Sequence, residues 1–100
     1  MTEDDEKNII DSAIKKFEIN EINASETLFF KALLINSNSA TSLSYLGLIS
    51  LKKSKLIDAE YYFARAIEIN KNDHILLFNL GLTKHQLNKK EDAKIFYKNS

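Results

Sequence analysis

One hundred residues hold one domain and leave no room for a second core. With 44% hydrophobic residues, 28% charged residues and a formal net charge of zero, the composition is that of a folded domain and excludes a disordered tail. The lack of cysteine removes disulfides and thiolate chemistry, and the lack of proline, with glycine only at Gly47 and Gly81, removes the punctuation of β-hairpins and favours helices throughout.

The opening run Thr2-Glu3-Asp4-Asp5-Glu6 is acidic where a secretory signal needs a positive start and an apolar stretch. No apolar segment approaches the roughly 20 residues that span a bilayer, so the expected location is the cytosol, without a membrane partner. Charge is unevenly spread: residues 1–34 carry eight acids against four bases, and residues 71–100 carry six lysines against three acids. Solvated helix faces account for this asymmetry, although it also suits head-to-tail association or an acidic partner. The lysines come without interleaved aromatics and Arg65 is the single arginine, which argues against nucleic acid.

In chain order, the sequence divides into three copies of one pattern, at about 6–39, 40–73 and 74–100, forming a single domain over residues 1–100. In the first copy, two apolar stretches of helical period flank the polar turn Asn20-Glu21; in the second they flank Ser54-Lys55, and in the third Asn88-Lys89. Asn38 or Ser39 and Asn72 or Asp73 stand as N-caps before the second and third units, and Asn20 and Asn88 suit the left-handed conformation that ends a helix. The period is about 34 residues, since Leu43, Leu46 and Gly47 recur as Leu77, Leu80 and Gly81, Ala59 recurs as Ala93, and Phe63 as Tyr97. Stepping back by the same interval gives Ile9, Ser12, Ala13, Ser25 and Phe29, a fainter copy.

A glycine inside a helix costs about 1 kcal/mol relative to alanine, so Gly47 and Gly81 mark places where something comes close. Ala59 and Ala93 on the second helix of their hairpins are expected against these glycines. Phe63 and Tyr97 are expected to wedge between hairpins, and Ala66 to let the next unit approach.

At these positions the chain resembles the tetratricopeptide repeat family, most closely through Leu43, Leu46-Gly47, Ala59, Phe63 and Ala66, and again through Leu77, Leu80-Gly81, Ala93 and Tyr97. It departs from the family at Ser37 and Lys71, where proline commonly closes a repeat, and at Ser50 and Lys84, where an aromatic is usual. The resemblance implies an all-α fold: a right-handed stack of three antiparallel helical hairpins, whose first helices line a concave side. The family's groove positions then fall on Ile10, Ile14, Phe17, Ser44, Leu48, Leu51, Phe78, Leu82 and His85, seven of them apolar.

Such a stripe suits an amphipathic helix or an apolar extended segment of a partner protein, unless some of these side chains are core. The family's carboxylate-gripping heat-shock co-chaperones need lysine, asparagine and arginine where this chain has Ile10, Ile14, Tyr45, Ile75 and Asn79, so a carboxylate tail is not the expected ligand. The family usually ends in an extra capping helix for which no residues follow here. Either a partner covers the last face or the sequence is a piece of a longer chain.

The expected role is that of an adaptor or chaperone for another protein or peptide. Richness in Asn, Ile and Lys suggests an AT-rich coding sequence of bacterial type, and a small cytosolic tetratricopeptide-like protein with an apolar groove resembles the chaperones and co-chaperones of type III secretion. A self-associating scaffold, in which the uncapped C-terminal face docks on the acidic N-terminal end of a neighbour, is the alternative.

Catalytic parts are missing from the sequence. His74 and His85 stand eleven residues apart with no acidic cluster beside them, no glycine-rich phosphate loop exists, and no serine has a partnered base. No enzyme, metal or cofactor is expected.

Overall fold

The computed structural model describes the backbone of residues 3–99 and the side chains of residues 4–91. Five helices occupy nearly all of it: α1 (Glu3–Glu18), α2 (Ile22–Ile35), α3 (Ala40–Lys52), α4 (Leu56–Ile69) and α5 (His74–Asn99). No strand occurs among the described residues. Each helix packs chiefly on its neighbours in chain order, α1 on α2, α2 on α3, α3 on α4 and α4 on α5.

The repeat interval is written into the helix ends. α1 gives way to Asn20 with φ 65°, and α3, one repeat later, gives way to Ser54 with φ 59°. Both ends close in the same way: the N–H of Glu21 donates to the carbonyl of Lys16 at 2.8 Å and that of Asn20 to Phe17 at 3.0 Å, while Lys55 donates to Ser50 at 2.8 Å and Ser54 to Leu51 at 3.0 Å. This pair of hydrogen bonds around a left-handed residue satisfies the last carbonyls of a helix and turns the chain back on itself.

Helix starts repeat too. The Ser39 hydroxyl accepts from the N–H of Ser42 at 3.2 Å, and at the equivalent place in the next copy the Asp73 carboxylate accepts from Ile75 and Leu76 at 3.0 and 3.1 Å. Ser39 and Asp73, rather than Asn38 and Asn72, are therefore the caps of α3 and α5.

Two apolar clusters form the core. Ala13, Phe29, Leu46 and Ile49 join α1, α2 and α3, and Leu43, Ala59, Phe63, Ala66 and Leu76 join α3, α4 and α5. Of the repeat positions of the first two copies, Ala13, Ser25, Phe29 and Ala32 and then Leu43, Ala59, Phe63 and Ala66 are fully buried, whereas Ile9 is half-buried and Ser12 exposed.

The nearest neighbour of Gly47 is Phe63: a methyl group there would lie 2.5 Å from Cε1 of Phe63, so the ring itself fills the glycine's place. Ala59 belongs to the cluster around Leu43.

One expectation needs correction: the third copy does not turn at Asn88-Lys89. α5 runs unbroken for 26 residues through both, and Asn88 is helical. There are two hairpins and one long helix where three hairpins were expected. A folded-back third partner would cover α5 while exposing its own outer face, because among the described residues no further unit lies beyond it. Continuing the helix keeps every backbone hydrogen bond, and no glycine or proline stands there to interrupt it. The expected packing of Ala93 and Tyr97 lies outside the described side chains.

Candidate functional site

The groove positions split by helix. On α1, Ile10, Ile14 and Phe17 are half-buried against the Ala13–Phe29 cluster. Phe17 meets Tyr45 edge-on with ring centroids 5.2 Å apart, Tyr45 stacks on Phe29 at 4.9 Å, and the Lys52 ammonium lies 5.6 Å over the Phe17 ring. These rings tie α1, α3 and α2 together, so Phe17 and Tyr45 serve packing at the margin of the core.

On α3, the Ser44 hydroxyl donates to the Ala40 carbonyl at 2.7 Å, while Leu48 and Leu51 are half-buried on the Leu43–Phe63 cluster. On α5 the same register is open: Phe78 is 69% exposed and Leu82 39% exposed, with His85 exposed one turn further on. Ile75 extends that face at 73% exposure. The nine positions are thus not one exposed stripe: those on α1 and α3 are half-buried, and those on α5 are exposed.

Of the positions compared with a carboxylate clamp, Tyr45 is held in the aromatic set and Ile75 projects outward. Asn79 is half-buried, and its carbonyl accepts from the Thr83 hydroxyl at 2.8 Å.

A second apolar surface, not foreseen from the repeat, lies between α2 and α4. Phe30, Leu33, Leu34 and the stem of Arg65 line a cleft of about 520 Å³, bounded by Thr27, Lys31 and Ser37. Leu34 is 84% exposed there. The Arg65 guanidinium donates to the Ser37 carbonyl at 3.0 Å and to the Tyr61 hydroxyl at 3.2 Å, and lies 5.6 Å over the Tyr61 ring, so it is already committed to holding the α2–α3 link. The signal in the sequence was the pair Phe30 and Leu34, spaced i, i+4 and apolar in excess of the core line Ser25, Phe29 and Ala32.

Polar ties fix these surfaces. Lys53 donates to Asn23 Oδ1 at 2.8 Å and pairs with Glu26 at 3.0 Å, pinning the end of α3 to α2. Burial, and then the carboxylates of Asp58 and Glu26, push the Tyr62 phenol above its ordinary pKa. His74 and His85 are both exposed, and among the described residues no three His, Asp or Glu side chains gather closely enough to hold a metal ion. No helix of the described residues is long and apolar enough to cross a membrane.

The fold and these surfaces define a small all-α protein. Neither a protein-family model nor a curated relative matches the chain.

Proposed function

We propose that the protein is a tetratricopeptide-like interaction module, an adaptor or chaperone that holds an apolar helical or extended segment of a partner protein against α5 and the adjoining edge of α3. The observation that carries this reading is the exposure of Phe78 beside Leu82, at the repeat positions that Ser44 and Leu48 hold on α3. An aromatic ring 69% exposed at the centre of an apolar face is surplus to folding and is the kind of side chain that anchors interfaces. The recurrence of helix ends, caps and buried positions at the repeat interval supports the likeness to that family.

The test is a peptide-display selection on the immobilised protein. Amphipathic, apolar peptides should be enriched, and Phe78→Asp should weaken their binding by tenfold or more while Leu34→Asp, in the other cleft, leaves it unchanged. Binding that ignores Phe78→Asp would refute the assignment.

A further inference from the structure

The packing of α4 on α3 shows what a helix of this repeat accepts on one flank. That flank is Leu43, Gly47 and Ser50, all buried. α4 folds back over it with Ala59, Phe63 and Ala66, which are fully buried and share a core cluster with Leu43. The Phe63 ring fills the space where a side chain at Gly47 would begin. One repeat later the same register on α5 is Leu77, Gly81 and Lys84, and all three are exposed. Nothing lies within 4 Å of where a side chain at Gly81 would begin.

In other respects α5 is seated as α3 is. Leu46 belongs to the Ala13–Phe29 cluster, and its counterpart Leu80 packs on the Leu43–Phe63 cluster. Ile49 and its counterpart Thr83 are both fully buried. The side of α5 that meets the preceding hairpin is thus built like that of α3, and the opposite flank differs in having no cover. The later residues of α5 continue the same helix away from Gly81 and do not fold back on it.

We infer that the Leu77, Gly81 and Lys84 flank docks one α-helix of a partner protein, laid antiparallel to α5 as α4 lies on α3. The three positions recur at i, i+4 and i+7, a single stripe that one helix covers. The α3–α4 contact sets the chemistry of the occupant: a small residue, an aromatic four positions on and a small residue three further, the spacing of Ala59, Phe63 and Ala66. The ring enters at Gly81, and the small residues let the two backbones approach.

Charge adds a further requirement. Lys84 stands where α3 has the buried Ser50, one turn beyond the glycine, so in an antiparallel pair it meets residues one turn before the aromatic. Among the described residues no carboxylate pairs with Lys84. The partner helix carries an acid there, at the place that Glu60 holds on α4. Phe78 is not part of this stripe, and the docked helix follows from the α3–α4 packing alone.

The probe is a synthetic peptide of residues 55–70, held helical by Ile57→Lys and Tyr61→Glu joined as a lactam, at two positions exposed in the protein. Calorimetric titration should show one peptide bound per chain. Phe63→Ala in the peptide should weaken binding tenfold or more. Gly81→Leu in the protein should abolish binding and leave the melting temperature unchanged or higher. Lys84→Glu should weaken binding roughly fivefold, and Glu60→Lys in the peptide should restore it. Absence of binding, or binding that Gly81→Leu leaves intact, would overturn the proposal. So would a lower melting temperature for Gly81→Leu, which would put the chain's own residues on this flank, or a dimer of the protein alone that Gly81→Leu dissociates, which would put a second copy there.

Discussion

Gly47 and Phe63 are fitted to one another: the ring of Phe63 on α4 occupies the volume that any side chain at position 47 of α3 would need, with Cε1 2.5 Å from a would-be Cβ. Both residues are buried, and a side chain at position 47 would require the Phe63 ring to shift within the core. Gly47→Ala should therefore destabilise the protein by about 1 to 3 kcal/mol through overpacking. Gly81→Ala, in open helix, should stabilise the monomer by up to about 1 kcal/mol through helix propensity alone. Urea denaturation at low protein concentration checks the opposite signs; equal effects would mean that the two glycines do not differ as described.

Leu43 and Leu77 test the same contrast by truncation. Leu43→Ala empties a fully buried site and should cost about 2 to 5 kcal/mol. Leu77→Ala, at the equivalent position but 45% exposed, should cost about 0.5 kcal/mol or less in the monomer. Thermal melts of the dilute proteins separate the two.

Helix starts at Ser39 and Asp73 should each be worth about 1 kcal/mol, lost on Ser39→Ala or Asp73→Ala. The asparagines beside them, Asn38 and Asn72, provide no cap, and Asn72→Ala should leave stability within about 0.5 kcal/mol of the parent. Comparable losses at Asp73 and Asn72 would show that the cap has been misplaced.

Tyr62 gives the protein an alkaline limit. Its phenol is held above the ordinary value of about 10 by burial and by Asp58 and Glu26, so in alkali the unfolded chain gives up this proton before the folded one does. The stabilisation is complete below about pH 10 and is lost as pH rises through the folded value. Tyr62→Phe should flatten this part of the pH profile of stability, measured by denaturation between about pH 8 and 11; an identical profile would show that Tyr62 does not contribute.

Much of this arrangement could be read along the chain, because it depends on local chemistry and on periodicity. Asn20-Glu21 and Ser54-Lys55 turn where the polar interruption between two helical stretches places them. Phe29 and Phe63, equivalent positions of successive copies, are both fully buried, as their shared register implies. The apolar cleft of Phe30 and Leu34 was missed because both lie next to core residues, and neighbouring faces of a helix differ by only one residue in sequence.

The sequence by itself determined the all-α character, the repeat period, the first two turns and the buried line of the first two copies, since these follow from which residues favour helix, cap or burial in their own neighbourhood. Tertiary structure alone decided that the Phe63 ring fills the space at Gly47, because that depends on how far two helices slide past each other. It also decided that Asn88 stays helical. Asn20, Ser54 and Asn88 carry the same local signal, but the first two begin a helix held between neighbours on both sides, α2 between α1 and α3 and α4 between α3 and α5. Among the described residues, Asn88 would begin one with a neighbour on a single side, and without burial to reward the turn, the unbroken backbone hydrogen bonds of α5 prevail.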